Sequence, residues 1–127
     1  MFTISKDGTA TLTKDNSCEF SVNPTVADPE DPEKQIPYIL QEGERIIFTI
    51  KSRYSDEKLI EKILTSEDYE NSELIIRLTR QETSILNIGT YVYDVAFQPV
   101  GTDKFQTFIP LSYFNVVKRV SEAVEND

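Results

Sequence analysis

Apolar residues in this chain recur at every second position, and they do so in one short segment after another. Ile46, Phe48 and Ile50 alternate with polar neighbours, as do Leu74, Ile76 and Leu78, and the stretch "GTYVYDVAFQP" puts Tyr91, Tyr93, Val95 and Phe97 on one side of an extended chain. Period two is the signature of a strand with one buried face. The opposite side of the quoted strand carries Val92, Asp94, Ala96 and Gln98, a more polar set. A fold built from such segments must bury one face of each sheet against another layer.

The segments are separated by turn chemistry. "FTISKDGTATLT" reads as a hairpin joined at Lys6-Asp7-Gly8, where Asp-Gly supplies positive φ. "SCEFSV" follows with Cys18, Phe20 and Val22 on one face, and residues 23–37, "NPTVADPEDPEKQIP", hold four of the six prolines and no periodicity, which predicts a surface loop. A turn at Gln41-Glu42-Gly43-Glu44 precedes the strand of Ile46, Phe48 and Ile50. Residues 57–65 stay open between strand and short helix, because Leu59, Ile60, Ile63 and Leu64 also fit helical spacing. "RQETSILNIG" reads as a crossover turn ending at a glycine, and "KFQTFIPLSYFNVV" as a last strand broken near Pro110. Gly8, Gly43, Gly89 and Gly101 stand alone at predicted turns and form no phosphate-binding loop.

With turns every 8 to 15 residues or so and no long helical pattern, the expected fold is all-β, an antiparallel immunoglobulin-like β-sandwich of about seven to nine strands. In that fold a late strand starts with glycine and tyrosine, so "NIGTYVYDV" makes Tyr91 the corner tyrosine, its hydroxyl bonded back to the preceding turn, and Tyr93 a buried residue. A length of 127 residues suits one domain, expected at residues 1–117, with 118–127 an acidic flexible C-terminal tail after the basic pair Lys118-Arg119. The free edges are expected at the opening hairpin, residues 2–13, and at the final strand, 105–117.

Composition excludes more chemistry than it suggests. There is no histidine, so Ser-His-Asp triads, Cys-His dyads and histidine zinc sites are ruled out. The single Cys18 can form no internal disulfide and reads as a small strand hydrophobe. Asp28, Glu30, Asp31 and Glu33 crowd into "DPEDPEKQ", but without a glycine to wrap oxygens around one point they read as a solvated acidic loop rather than a calcium site. Glu67, Asp68, Glu70 and Glu73 in "SEDYENSE" read the same way. No catalytic, cofactor-binding or metal-ligating residue is expected, and the chain is expected not to be an enzyme. A net charge of −9, from 22 acidic and 13 basic residues, works against binding nucleic acid or anionic membrane surfaces. No apolar run is long enough for a membrane helix, and "MFTISKDG" has no visible export signal, which predicts synthesis in the cytoplasm.

The stretches "ISKDGTATLTKDNSCEFSV", "LQEGERIIFTIK", "LIEKILT", "IRLTRQETSILNIGTYVYDV" and "FIPLSYFNVVKRV" together cover most of the chain. Through them it resembles a family of small prophage and tailed-phage proteins from Firmicutes related to the N-terminal domain of phage baseplate upper proteins. That resemblance implies a non-enzymatic structural protein of a tail, baseplate or other virion part, partnered by other virion proteins or by itself. Baseplate upper proteins continue into a trimerising region where this sequence ends at "SEAVEND", which implies an accessory, adaptor or decoration subunit. The alternative is a carbohydrate- or cell-surface-binding β-sandwich module, which would be marked by Tyr38, Tyr54 and Tyr69 gathering on one solvent face.

Overall fold

The computed structural model describes residues 1–100 and 106–118. The predicted tail beyond Lys118 and the predicted turn at Gly101 lie outside these residues. Within them run ten strands and one turn of helix. They are β1 (Phe2–Ile4), β2 (Ala10–Thr13), β3 (Cys18–Ser21), β4 (Thr25–Asp28), β5 (Asp31–Pro37), β6 (Arg45–Ser52), β7 (Lys58–Thr65), β8 (Ile75–Leu78), α1 (Arg80–Thr83), β9 (Gly89–Gln98) and β10 (Gln106–Val117). The chain is all-β, with one strand more than the upper expectation.

A six-stranded sheet in the order β1-β2-β10-β9-β6-β7 dominates. Its centre is antiparallel, with Phe48 opposite Val95 and Ile50 opposite Tyr93. Its connectivity corrects the expectation of antiparallel pairing throughout, because β2 runs parallel to β10, Ala10 opposite Phe114 and Leu12 opposite Val116. Parallel neighbours need a long connection, here everything between β2 and β10, and local periodicity carries no trace of it. A second correction follows. β10 is interior, flanked by β2 and β9, so the sheet's free edges are β1 and β7.

The segment 57–65, open between two periods, is strand from Lys58 to Thr65, in which Ile60 and Leu64 face Ile50 and Ile46 across the ladder. The proline-rich residues 23–37 are not a loop but the hairpin β4–β5, a sheet of its own. Its residues are mostly exposed on both sides, so no alternation was imposed on the sequence. The prolines are tolerated because neither strand has an outer neighbour in its sheet to require their missing N–H.

The third sheet, β3–β8, supplies the cover for the large one. Phe20 of β3 meets Phe48 edge-on at 5.4 Å and stacks on Phe2 at 5.5 Å. Phe48 continues to Tyr93 at 5.8 Å, Tyr93 to Phe114 at 5.9 Å, and Phe114 returns to Phe2 at 6.2 Å. Rings from β1, β3, β6, β9 and β10 thus close a circuit in the interior, at separations where aromatic pairs attract. Ile46, Leu74, Ile76, Leu86 and Val95, none with exposed surface, pack with them in one core cluster.

Polar contacts hold the crossover. Thr79 and Glu82 form a reciprocal capping box on α1, and the buried Thr83 hydroxyl donates to the Asn16 carbonyl at 2.8 Å. Lys14 donates to the carbonyls of Ser84 and Leu86 at 2.9 and 2.8 Å. The segment expected to be a turn therefore contains one helical turn tied back to the β2–β3 connection. The Tyr91 hydroxyl donates to the Asn87 carbonyl at 3.0 Å, back into the preceding turn.

Tyr93 offers two graded tests. Its hydroxyl donates to the Gly8 carbonyl at 2.5 Å, so Tyr93→Phe should cost about 1 kcal/mol. Tyr93→Ala, which also opens the aromatic circuit, should cost about 3 to 5 kcal/mol. Urea unfolding of both variants measures the difference, and equal losses would show that the ring contributes nothing beyond its hydroxyl.

Candidate functional site

The acidic residues are the first chemical groups to place. Asp28 accepts the backbone N–H of Glu30 at 2.9 Å and Asp31 that of Glu33 at 3.3 Å, so both carboxylates shape their own turn at the tip of β4–β5. In the second cluster Asp68 accepts from the Thr65 N–H at 2.7 Å, Glu70 forks onto the Arg77 guanidinium, and Glu73 accepts from Ser21. Asn71 and Ser72, at φ +49° and +68°, make the tight turn that puts Glu70 opposite Glu73. Among the described residues no three acidic or cysteine side chains are grouped to hold a metal ion.

Cys18 is 7% exposed, and burial pushes its thiol up to about 11. A thiol in that state is a core group rather than a nucleophile at neutral pH. Glu44 is the buried carboxylate, 6% exposed, and it accepts from the Tyr38 hydroxyl and the Gln41 N–H, both at 2.7 Å. That bond to Glu44 raises the Tyr38 pKa and stabilises the turn entering β6.

Tyr38, Tyr54 and Tyr69 do not gather on one face. Tyr38 packs edge-on against Phe97 at 5.8 Å, and the Tyr69 hydroxyl accepts the Leu40 N–H at 3.0 Å, both near the Arg45 end of β6. Tyr54 lies past the other end of β6 and is 87% exposed. Its companion is Tyr113 of β10, 50% exposed. The Arg53 guanidinium lies 5.7 Å from the centroid of each ring, within cation–π range of both.

Arg53 and Tyr113 border a groove of about 470 Å³ whose other walls are Asp7 and Thr9 of the β1–β2 turn and Leu111 and Ser112 of β10. Its shape comes from two backbone irregularities. The β9–β10 register shifts between Ile109 and Ser112, beside Pro110, which turns Leu111 outward to 62% exposure. Gly8, at φ +90°, brings the turn so close to β10 that an added Cβ would stand 2.9 Å from the Ser112 hydroxyl oxygen. Asp7 is held by the Ser5 hydroxyl and, at 2.9 Å, by the Thr9 N–H, and these bonds lower its carboxyl to about 2.

Neither Arg53 nor Tyr113 stood out in the sequence, although a signal existed. Tyr113 is one position out of phase with the buried Phe114, which aims it away from the core, and "RY" at 53–54 directly follows a predicted strand. What the sequence lacks is their convergence, which the placing of β10 and β6 on either side of β9 brings about. No protein-family model, curated protein or solved structure matches this chain.

Asp7 has a folded pKa below its ordinary 3.8, so its contribution to the turn is present above about 4 and is lost as the pH falls through about 2. NMR titration of the Asp7 carboxyl should give a midpoint near 2, moving up towards 3.8 in Ser5→Ala. A midpoint near 3.8 in the unaltered protein would contradict the geometry of this turn. Cys18 should react with a thiol reagent at neutral pH only as fast as the chain unfolds.

Proposed function

We propose that the chain is a non-enzymatic structural protein of a phage or prophage, an immunoglobulin-like β-sandwich that acts in a tail, baseplate or accessory part of the virion through protein–protein contacts. The observation that carries the proposal is the strand order. A parallel run of the early strand β2 along the last strand β10, the small sheet β3–β8 laid over the aromatic face of the large one, and the Tyr91 hydroxyl bonded into the preceding turn all favour the immunoglobulin-like sandwich. The resemblance to baseplate upper proteins supplies the setting: synthesis in the bacterial cytoplasm, then incorporation into a particle.

The chemistry of the side chains supports a role without catalysis. The chain has no histidine, its one thiol is buried, and Asp28, Asp31, Asp68, Glu70 and Glu73 are engaged in turns, backbone contacts or ion pairs. What the molecule does offer is unpaired backbone. β7 is an eight-residue edge of the large sheet, with Ile63 43% exposed, and β4–β5 is a hairpin exposed along both sides. An edge of that length accepts a strand from another subunit, while Lys58 and Lys62 on it disfavour indiscriminate pairing. The net charge of −9 keeps the free domain soluble. The single face of Tyr38, Tyr54 and Tyr69 that would mark the alternative, a carbohydrate- or cell-surface-binding module, does not form: Tyr38 and Tyr69 lie near the Arg45 end of β6 and Tyr54 past the other end.

Light scattering and cross-linking of the purified protein, alone and with the tail and baseplate proteins encoded beside it, test the proposal. Self-association or a defined complex is expected, weakened by Ile63→Lys and unaffected by Glu30→Gln. A strict monomer encoded away from tail and capsid genes would count decisively against it. A screen over ester, peptide, glycoside and phosphate substrates should give no turnover, and turnover abolished by Asp28→Asn or Glu67→Gln would overturn the non-enzymatic assignment.

A further inference from the structure

The geometry points to the groove between the β1–β2 turn and β10 as a saccharide-binding site. This goes beyond an assembly role and does not depend on it, since no residue of β7 or of the β4–β5 hairpin lines the groove.

A sugar presents a ring face of C–H groups and a rim of hydroxyls, each both donor and acceptor. A site for it needs an exposed aromatic ring to stack on, with fixed donors and acceptors at the rim. Tyr113 and Leu111, 50% and 62% exposed, give the apolar wall, and Val92 of β9 lies in the same lining. Arg53 provides planar N–H donors and Asp7 a carboxylate acceptor, and the hydroxyls of Thr9 and Ser112 belong to the same lining. Tyr54, the other ring in contact with Arg53, borders a smaller hollow of about 290 Å³ next to Thr90 and Tyr91. The main groove, about 470 Å³, matches a small oligosaccharide segment in size.

The cation here is set against rings rather than a counter-ion. Arg53, like Lys6, Lys34, Lys51 and Arg80, forms no ion pair with a carboxylate among the described residues, and its guanidinium lies over two tyrosine rings. The acceptor opposite is also fixed before any ligand arrives. The turn bearing Asp7 is closed by Ser5 N–H to Thr9 O at 2.9 Å and Gly8 N–H to Ser5 O at 3.0 Å, and Tyr93 reaches from the core to hold the Gly8 carbonyl. A preorganised acceptor and a stacked cation across an apolar wall can divide the hydroxyls of one sugar between them.

Amide NMR spectra of the full chain, recorded during titration with glucose, galactose, N-acetylglucosamine, rhamnose and, separately, inorganic phosphate, test the assignment. At least one sugar should shift the amides of Asp7, Arg53, Ser112 and Tyr113 in a saturable way. Tyr113→Ala and Arg53→Gln, both at exposed positions, should each weaken that binding roughly tenfold or more, as loss of one stacking ring or charged donor does, with the remaining spectrum unchanged. Ile88→Ala, exposed and outside the groove, should have no effect. Failure of every sugar to shift these amides, sugar binding that survives both substitutions, or a response to phosphate alone would each overturn the proposal, the last by reducing Arg53 to an anion contact.

Discussion

The closed circuit of Phe2, Phe20, Phe48, Tyr93 and Phe114 is the contact on which the rest of the molecule depends. Each ring comes from a different strand, and the strands span the chain from its second residue to its last described strand. A two-stranded sheet such as β3–β8 is at best marginal alone in water. Here it is held because Phe20 inserts between Phe2 and Phe48, and because the alternate residues Leu74, Ile76 and Leu78 are buried with it. The parallel pairing of β2 with β10 has the same origin, since joining the two ends of the chain costs loop-closure entropy that only shared burial can offset. Ala10 and Leu12 on one strand and Phe114 and Val116 on the other, all at most 2% exposed, provide that burial.

This dependence explains why some elements are legible in the sequence and others are not. The strands that face the circuit announce themselves: Ile46, Phe48 and Ile50, Leu74, Ile76 and Leu78, and Tyr93 with Val95 are at most 1% exposed, and burial on one face imposes alternation. The Lys6-Asp7-Gly8 turn is equally readable, because Gly8 adopts φ +90°. β4 and β5 are illegible for the converse reason, as a hairpin exposed on both faces places almost no demand on its side chains. Strand β7 is intermediate. Its Lys62 stands on the same face as Ile60 and Leu64 but at the sheet edge, where it pairs with Glu82 of α1, and this polar interruption lets a helical period fit as well.

The groove was hidden for a different reason. Each of its residues looks ordinary in its own segment, and only the sheet order brings residues near positions 7, 53 and 112 together. Composition did give part of the answer. Without histidine and with one buried thiol, imidazole- and thiol-based chemistry is out of reach, and what the surface presents is aromatic, carboxylate and guanidinium groups and backbone edges.

The turn at Gly8 ties these two aspects of the molecule together. Its carbonyl accepts from Tyr93, a member of the aromatic circuit, while its neighbour Asp7 faces the groove, so the acceptor at the surface is positioned by a bond from the core. The coupling is electrostatic as well: burial raises the Tyr93 pKa, and the Asp7 charge adds to that effect. Gly8 itself cannot be exchanged cheaply, because a side chain there meets both an unfavourable φ and the Ser112 hydroxyl. Gly8→Ala should therefore lower the melting temperature and at the same time displace Asp7 relative to Tyr113, whereas Asp7→Asn, which only weakens the bonds from Ser5 and Thr9, should cost less stability and act mainly at the groove. A loss of stability in Gly8→Ala with unchanged amide shifts at Ser112 and Tyr113 would show that the turn and the β10 wall are independent, and that the core does not set the geometry of the groove.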